Sequence, residues 1–277
     1  MAVKIGNVWD STTDVLAGRA ALLMPVAALA FFLPAAVQAA IDAYGGKSPG
    51  VAALGAAVAI AVIVATLWGQ MTVIGVASDP HVTRAAAAQA ARRRLGRALL
   101  AGLVILAIFV VALLPIVAAL AVGGFDFRAA FAQNGSSGAP PVSSGTALFV
   151  TLYGLAALIG GLWLGARLFL WTPVVLHEGR GIGAIGRSVA LTRGLTLKLI
   201  AAALLLLIVY AVAALAANWI VFIVFRLVLG PAQIATATWL GGLASAAVGA
   251  AFSVVVAVFT ARLYVALVPR APFPPNG

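Results

Sequence analysis

The chain has 277 residues, of which 64% are apolar and 8% charged, with a net charge of +11 and no cysteine. A soluble globular chain carries about 25% charged residues, so this composition cannot build a water-facing surface, and the lack of cysteine excludes disulfides, thiolate nucleophiles and thiolate metal sites. Apolar runs recur along the whole length, which points to a single integral membrane domain over 1–277 with no soluble catalytic half.

The N-terminal segment, 1–19, reads as an amphipathic helix. Ile5, Val8, Trp9, Thr12, Val15 and Leu16 fall on one face, with Asn7, Asp10, Ser11, Thr13 and Asp14 on the other. It either lies on the membrane or packs under the spans. The first span, 20–41, is uncharged and long enough for a core of about 30 Å. Pro25 and Pro34 should bend it without ending it, since neighbouring helices re-satisfy the freed carbonyls. The second span, 51–77, carries Ala53, Ala57, Ala61, Ala65 and Gly69 at four-residue spacing, a small-residue stripe that predicts a position inside the bundle.

Asp79-Pro80 has the form of a helix start, an N-cap followed by proline. The helix it would open holds Arg84, Arg92, Arg93, Arg94 and Arg97, a basic cluster that marks a cytoplasmic surface. The third span, 98–122, contains Pro115, and Phe125, Phe127 and Phe131 suit an interfacial belt beyond it. The fourth, 146–172, includes Gly161 and Gly165 at a spacing that favours close helix contact. Arg167 falls at its inner boundary, where its side chain can snorkel to headgroups. The fifth span, 199–225, ends at Arg226 before a Gly230-Pro231 turn. The sixth, 233–266, has a second small-residue stripe, Gly241, Ser245, Gly249, Ser253, Ala257 and Ala261, expected to pack on the second span or another close neighbour.

With a cytoplasmic N-terminus, twelve basic residues fall on the inner segments and three, Lys47, Arg128 and Arg226, on the outer ones. This asymmetry predicts an all-α polytopic protein of six transmembrane helices with both termini inside a bacterial cytoplasmic (inner) membrane. Ala166-Arg167-Leu168-Phe169 matches Ala261-Arg262-Leu263-Tyr264, and at the same 95-residue offset Leu67-Trp68 matches Leu162-Trp163. The match outlines three repeated helical hairpins, each preceded by a cytoplasmic amphipathic connector.

Familiar catalytic patterns are incomplete. His177-Glu178 begins like a zinc protease helix, but Gly181 stands where the second histidine is needed. His81 and His177 with Asp79 or Glu178 make a thin ligand set. Ser188 has no nucleophile elbow, and the glycines at 181, 183 and 186 follow a membrane span where a dinucleotide site needs a strand. No carboxylate falls inside a span, which disfavours ion-coupled transport; Gln70, Asn218, Tyr153 and Tyr210 are the polar candidates at membrane depth. Glu178 is expected to pair with Arg167, Arg180 or Arg187.

Arg167, Pro173, Glu178, Ser188, Leu191-Thr192 and Arg193-Gly194 together resemble the membrane domain found in some glycerophosphoryl diester phosphodiesterases and in related small six-span bacterial membrane proteins of uncharacterised function. In the fused enzymes the chemistry belongs to a separate soluble domain, which this sequence lacks, so the resemblance implies a six-span fold and no phosphodiesterase activity.

The expectation is a non-enzymatic inner-membrane protein, structural or accessory, whose basic connectors contact anionic headgroups of membrane lipids. The alternative is a carrier or permease for a lipid-like or hydrophobic small molecule. Arg92, Arg93, Arg94, Arg167, Glu178, Arg187, Arg193 and Arg262 are the candidate site residues, as headgroup contacts or structural ion pairs. No catalytic, cofactor or metal residue is assigned, and the arginines' position beside membrane-length segments argues against nucleic acid.

Overall fold

The computed structural model describes residues 4–45, 48–127 and 142–268. Lys47, Arg128 and Phe131, named above, lie outside them. Helix α1 (Ile5–Val26) passes through a π-helical turn, Ala27–Phe32, into α2 (Leu33–Tyr44). Arg19, at φ −127° and ψ 16°, interrupts α1 where the amphipathic segment was expected to meet the first span. Val8 and Thr12 are buried and Ile5, Val15 and Leu16 pack against the core, so this segment lies under the spans. Pro25 and Pro34 flank the π-helical turn, and the chain stays helical through both. Each proline lacks an N–H and crowds the preceding turn, and the wider π turn makes room for this.

Then follow α3 (Pro49–Ser78), α4 (Arg84–Val122), α5 (Ser144–Arg167), α6 (Trp171–Glu178), α7 (Gly183–Leu191), α8 (Thr196–Leu229) and α9 (Ile234–Leu267). Six segments, Ile5–Tyr44, Gly50–Ser78, Arg84–Val122, Ser144–Glu178, Thr196–Leu229 and Pro231–Leu267, are long and apolar enough to cross a membrane. The protein is an all-α, multi-pass membrane protein. Its elements run as three successive helical hairpins, but the two arginine motifs are not equivalent: Arg167 ends α5, whereas Arg262 lies inside α9.

Several boundaries and contacts differ from expectation. Asp79-Pro80 does not open a helix. Asp79 Oδ1 accepts from the His81 amide at 2.8 Å, an alternative to helix for this backbone. Thr83 caps α4 instead, its Oγ1 accepting from the Ala86 amide at 3.3 Å. The arginine-bearing segment and the third span are one 39-residue helix, about 58 Å long. Helix α5 stops at Arg167, short of the expected 172. Gly161 meets only Phe109, at 3.6 Å, and Gly165 meets nothing within 4 Å, so their spacing makes no close crossing.

The second-span stripe is not interior along its length: Ala53, Ala57 and Ala61 are exposed. Small residues permit approach but offer little area to attract a partner. Approach is close only toward the arginine-rich end. There a Cβ on Gly69 would stand 2.4 Å from Ala30 Cβ, and one on Gly75 3.0 Å from Ala87 Cβ. The sixth-span stripe meets α8, with Gly241 against the Asn218 carbonyl and Gly249 near Tyr210 Oη, and the same helix also packs on the second span, α3.

The densest packing sits in the arginine-rich half. Met71, Val73, Ile74 and Val76 of α3, Ala87, Ala91, Ala98 and Ala101 of α4, Val174–Leu176, and Val258, Phe259, Ala261, Leu263 and Tyr264 of α9 form its buried core. Leu103, Leu106, Val111 and Leu114 of α4 and Leu205, Ile208 and Val212 of α8 are exposed, as lipid-facing side chains should be.

Gly69→Ala should therefore force α3 away from Ala30 and cost about 1–3 kcal/mol. Gly55→Ala, whose Cβ meets only Ile41 at 3.8 Å, should leave stability unchanged. Thermal unfolding of both variants in detergent measures the contrast.

Candidate functional site

The break after α5 leaves helix-end groups to be satisfied in an apolar setting. Ser188, fully buried on α7, does so from both sides: its Oγ donates to the Arg167 carbonyl at 2.8 Å and accepts from the Leu170 amide at 3.1 Å. Thr192 Oγ1, also buried, lies 3.2 Å from the same carbonyl and donates to the Ser188 carbonyl at 2.9 Å. Arg167 Nη1 donates to the Val189 carbonyl at 3.1 Å, and its guanidinium lies over Trp163, 5.1 Å from the ring centroid. Gly194, at φ +85°, then turns the chain toward α8. Arg167, Ser188 and Thr192, three of the residues behind the resemblance, thus build a backbone clamp, and the Ser188 hydroxyl is committed to holding it.

Guanidinium groups close other helix ends. Arg94 Nη1 donates to the carbonyls of Val175 and Leu176, and Arg97 Nη1 to that of Gly179 at 2.8 Å. Gly179 ends α6 at φ +67°, a left-handed conformation that favours glycine. Arg19 does the same for α3, its Nη1 reaching the carbonyls of Val76 and Asp79 and its Nη2 that of Pro80.

Glu178 is the hub of the ion pairs. Its Oε2 meets Arg180 Nε at 2.9 Å, and its Oε1 accepts from Arg187 Nε at 3.0 Å and from Tyr264 Oη at 3.3 Å. Arg167, the third expected partner, is instead held by backbone across the α5 break. Arg262 Nε donates to Ser11 Oγ at 2.6 Å, tying α9 to α1. His177 stacks on Tyr264 and shares a hydrogen bond with Ser78 Oγ at 3.0 Å. No group of three potential metal ligands gathers among the described residues. Of the eight candidate residues, Arg94, Arg167, Glu178, Arg187 and Arg262 hold protein groups; Arg92 and Arg193 are exposed, and Arg93 is exposed while also engaged in an interaction of its own.

The other half of the bundle is less tightly filled and open to its surroundings. A cavity of about 770 Å³ lies between α2, α3, α8 and α9, with Phe31 and Phe169 toward the arginine-rich end and Asp42 toward the opposite one. From Phe31 to Asp42 it extends about 16 Å along the helix axis. Leu206, Leu207, Phe252 and Val256 give it apolar walls; Gln38, Gln70, Tyr210, Asn218 and Ser245 bring polar groups. A second cavity of about 280 Å³, toward α4 and α5, shares Gln70, Phe169 and Val256 as its wall.

Three of the four polar candidates at membrane depth, Gln70, Asn218 and Tyr210, converge on the large cavity. Tyr153 does not, since its Oη donates to the Ala112 carbonyl at 2.8 Å. Gln38 and Asp42 escaped sequence reasoning because they stand at the end of an apolar run, and Ser245 because it sits in a packing stripe. Compared with family models, curated proteins and solved structures, the chain matches none of them.

Ser188→Ala leaves the Leu170 amide and Arg167 carbonyl buried without this partner and should cost about 1–3 kcal/mol, read by unfolding in detergent. Glu178→Gln removes part-exposed ion pairs of about 1 kcal/mol or less each. It should raise cysteine-labelling rates across 180–193 severalfold with insertion unchanged; labelling at the unsubstituted rate would show that Glu178 does not hold this connector.

Proposed function

We propose that this is a non-enzymatic protein of a bacterial cytoplasmic membrane that shelters or carries an elongated, largely hydrophobic small molecule, with its termini and arginine-rich connectors on the cytoplasmic side. The observation that carries this reading is the 770 Å³ cavity: its volume is in the range of small-molecule sites, and apolar walls with a few polar groups are what such sites present. Its polar groups are amides, hydroxyls and one carboxylate, suited to orienting a bound molecule.

A second, compatible reading is the accessory role through anionic lipid. It is favoured by the exposed Arg84, Arg92, Arg93, Arg193 and Lys198 at one end of the bundle, each worth roughly 1 kcal/mol near an anionic surface. Kinship with the phosphodiesterase-type membrane domains is part of the proposal and rests on the clamp built by Arg167, Ser188 and Thr192.

The test is extraction of the purified protein with organic solvent and mass spectrometry of what is released. An amphiphile near one molecule per chain is expected, at least fivefold less in Ala246→Trp, which places an indole in the cavity. Equal recovery from both proteins, or none from either, overturns the reading.

A further inference from the structure

Resting on that reading, we infer that the cavity's ligand is a cationic amphiphile, a long-chain amine whose protonated head sits against Asp42 and Gln38 while its chain runs toward Phe31 and Phe169. The height of the polar end is set by the packing. Ala39 on α2 lies against Gly242, and Asn218 on α8 against Gly241, so Gln38 and Asn218 flank α9 at one level, with Asp42 one turn beyond Gln38.

Gln38 and Asp42 offer an acceptor and negative charge there, beside donors on the Asn218 amide and an unpartnered Trp239 Nε1. Gln38 Nε2 donates to Asp42 Oδ1 at 2.9 Å, which uses one amide donor within the pair. Gln38 Oε1 is buried and has no hydrogen-bond partner. A buried acceptor without a donor is costly; rotation of the Gln38 amide would present it to a ligand ammonium, which also supplies a countercharge to Asp42, an exposed carboxylate at that end of the cavity. Ser253, lower in the same cavity, already donates to its own helix at Gly249, 2.8 Å away.

No lysine or arginine lines the cavity among the described residues. Arg226, two turns beyond Asn218 on α8, holds its guanidinium over the Phe222 ring. A phosphate head at this level would sit beside a carboxylate, without a cation in the cavity wall to offset its desolvation. The arginines that fit anionic lipid are at the other end of the bundle. The two ends therefore select opposite charges.

The experiment measures equilibrium binding of tritiated dodecylammonium, dodecyl β-glucoside and dodecyl phosphate to the full-length protein in phosphatidylcholine nanodiscs, with empty nanodiscs as background. Dodecylammonium should bind at least tenfold more tightly than dodecyl phosphate and more tightly than the glucoside. Asp42→Asn and, separately, Gln38→Leu should each reduce that preference at least threefold, and Ala246→Trp should weaken all protein-dependent binding. If the glucoside or the phosphate binds as well as the amine, or if neither polar substitution changes the preference, the charge assignment is overturned while the cavity reading stands. If Ala246→Trp changes nothing, or no probe binds above background, the cavity reading itself falls.

Discussion

Backbone carbonyls at helix ends are the constraint on which this architecture depends. Six spans must stop and turn at a boundary where water is scarce, and each stop leaves acceptors without helical partners. Arg19 closes the end of α3, Arg94 and Arg97 close the end of α6, and Ser188 closes the break after α5. Arginine suits this work because a fixed fan of donors on a long apolar stem reaches several carbonyls at once. The alanines of α4 that face Val174–Leu176 and the tip of α3 give the guanidinium groups their reach. Packing and polar satisfaction therefore meet at one end of the molecule, which is where the core is densest.

That concentration leaves the opposite half free to be open. Gly241 and Gly242 bring α8 and α2 onto α9 at a single level, while α3 and α8 stand on separate sides of the large cavity. Gln70 and Phe169 divide this space from the smaller cavity. A bundle made rigid at one end by buried aromatic and backbone contacts holds such a hollow without filling it with side chains.

The number of spans was legible because a crossing needs some 20 uncharged residues and the chain supplies six such runs. Their basic-side limits were less legible. Hydropathy marks where a helix leaves the hydrocarbon and says nothing of where it ends, so α4 begins at Arg84 while its apolar run begins near residue 98. The face of α1 was readable from its period, and Arg19 breaks the helix at the border that the change in composition marks. Small-residue spacing misled twice: Ala53 and Ala57 face outward, and a Cβ on Gly161 would meet a single phenylalanine. Such spacing records permission to approach and does not identify the neighbour. Glu178 with Arg187 was accessible because both lie in one short connector. Arg19 with Val76–Pro80 was not, because a backbone acceptor has no side-chain signature. The cavity was hidden for a related reason, since its polar groups come from four helices and each is unremarkable alone.

Arg19 precedes the carbonyls it binds by about 60 residues, and Arg94 and Arg97 precede theirs by about 80. As the chain leaves the ribosome from its N-terminus, each returning helix thus meets a clasp already synthesised. The first two hairpins can be secured in order of translation, each before the following one is complete.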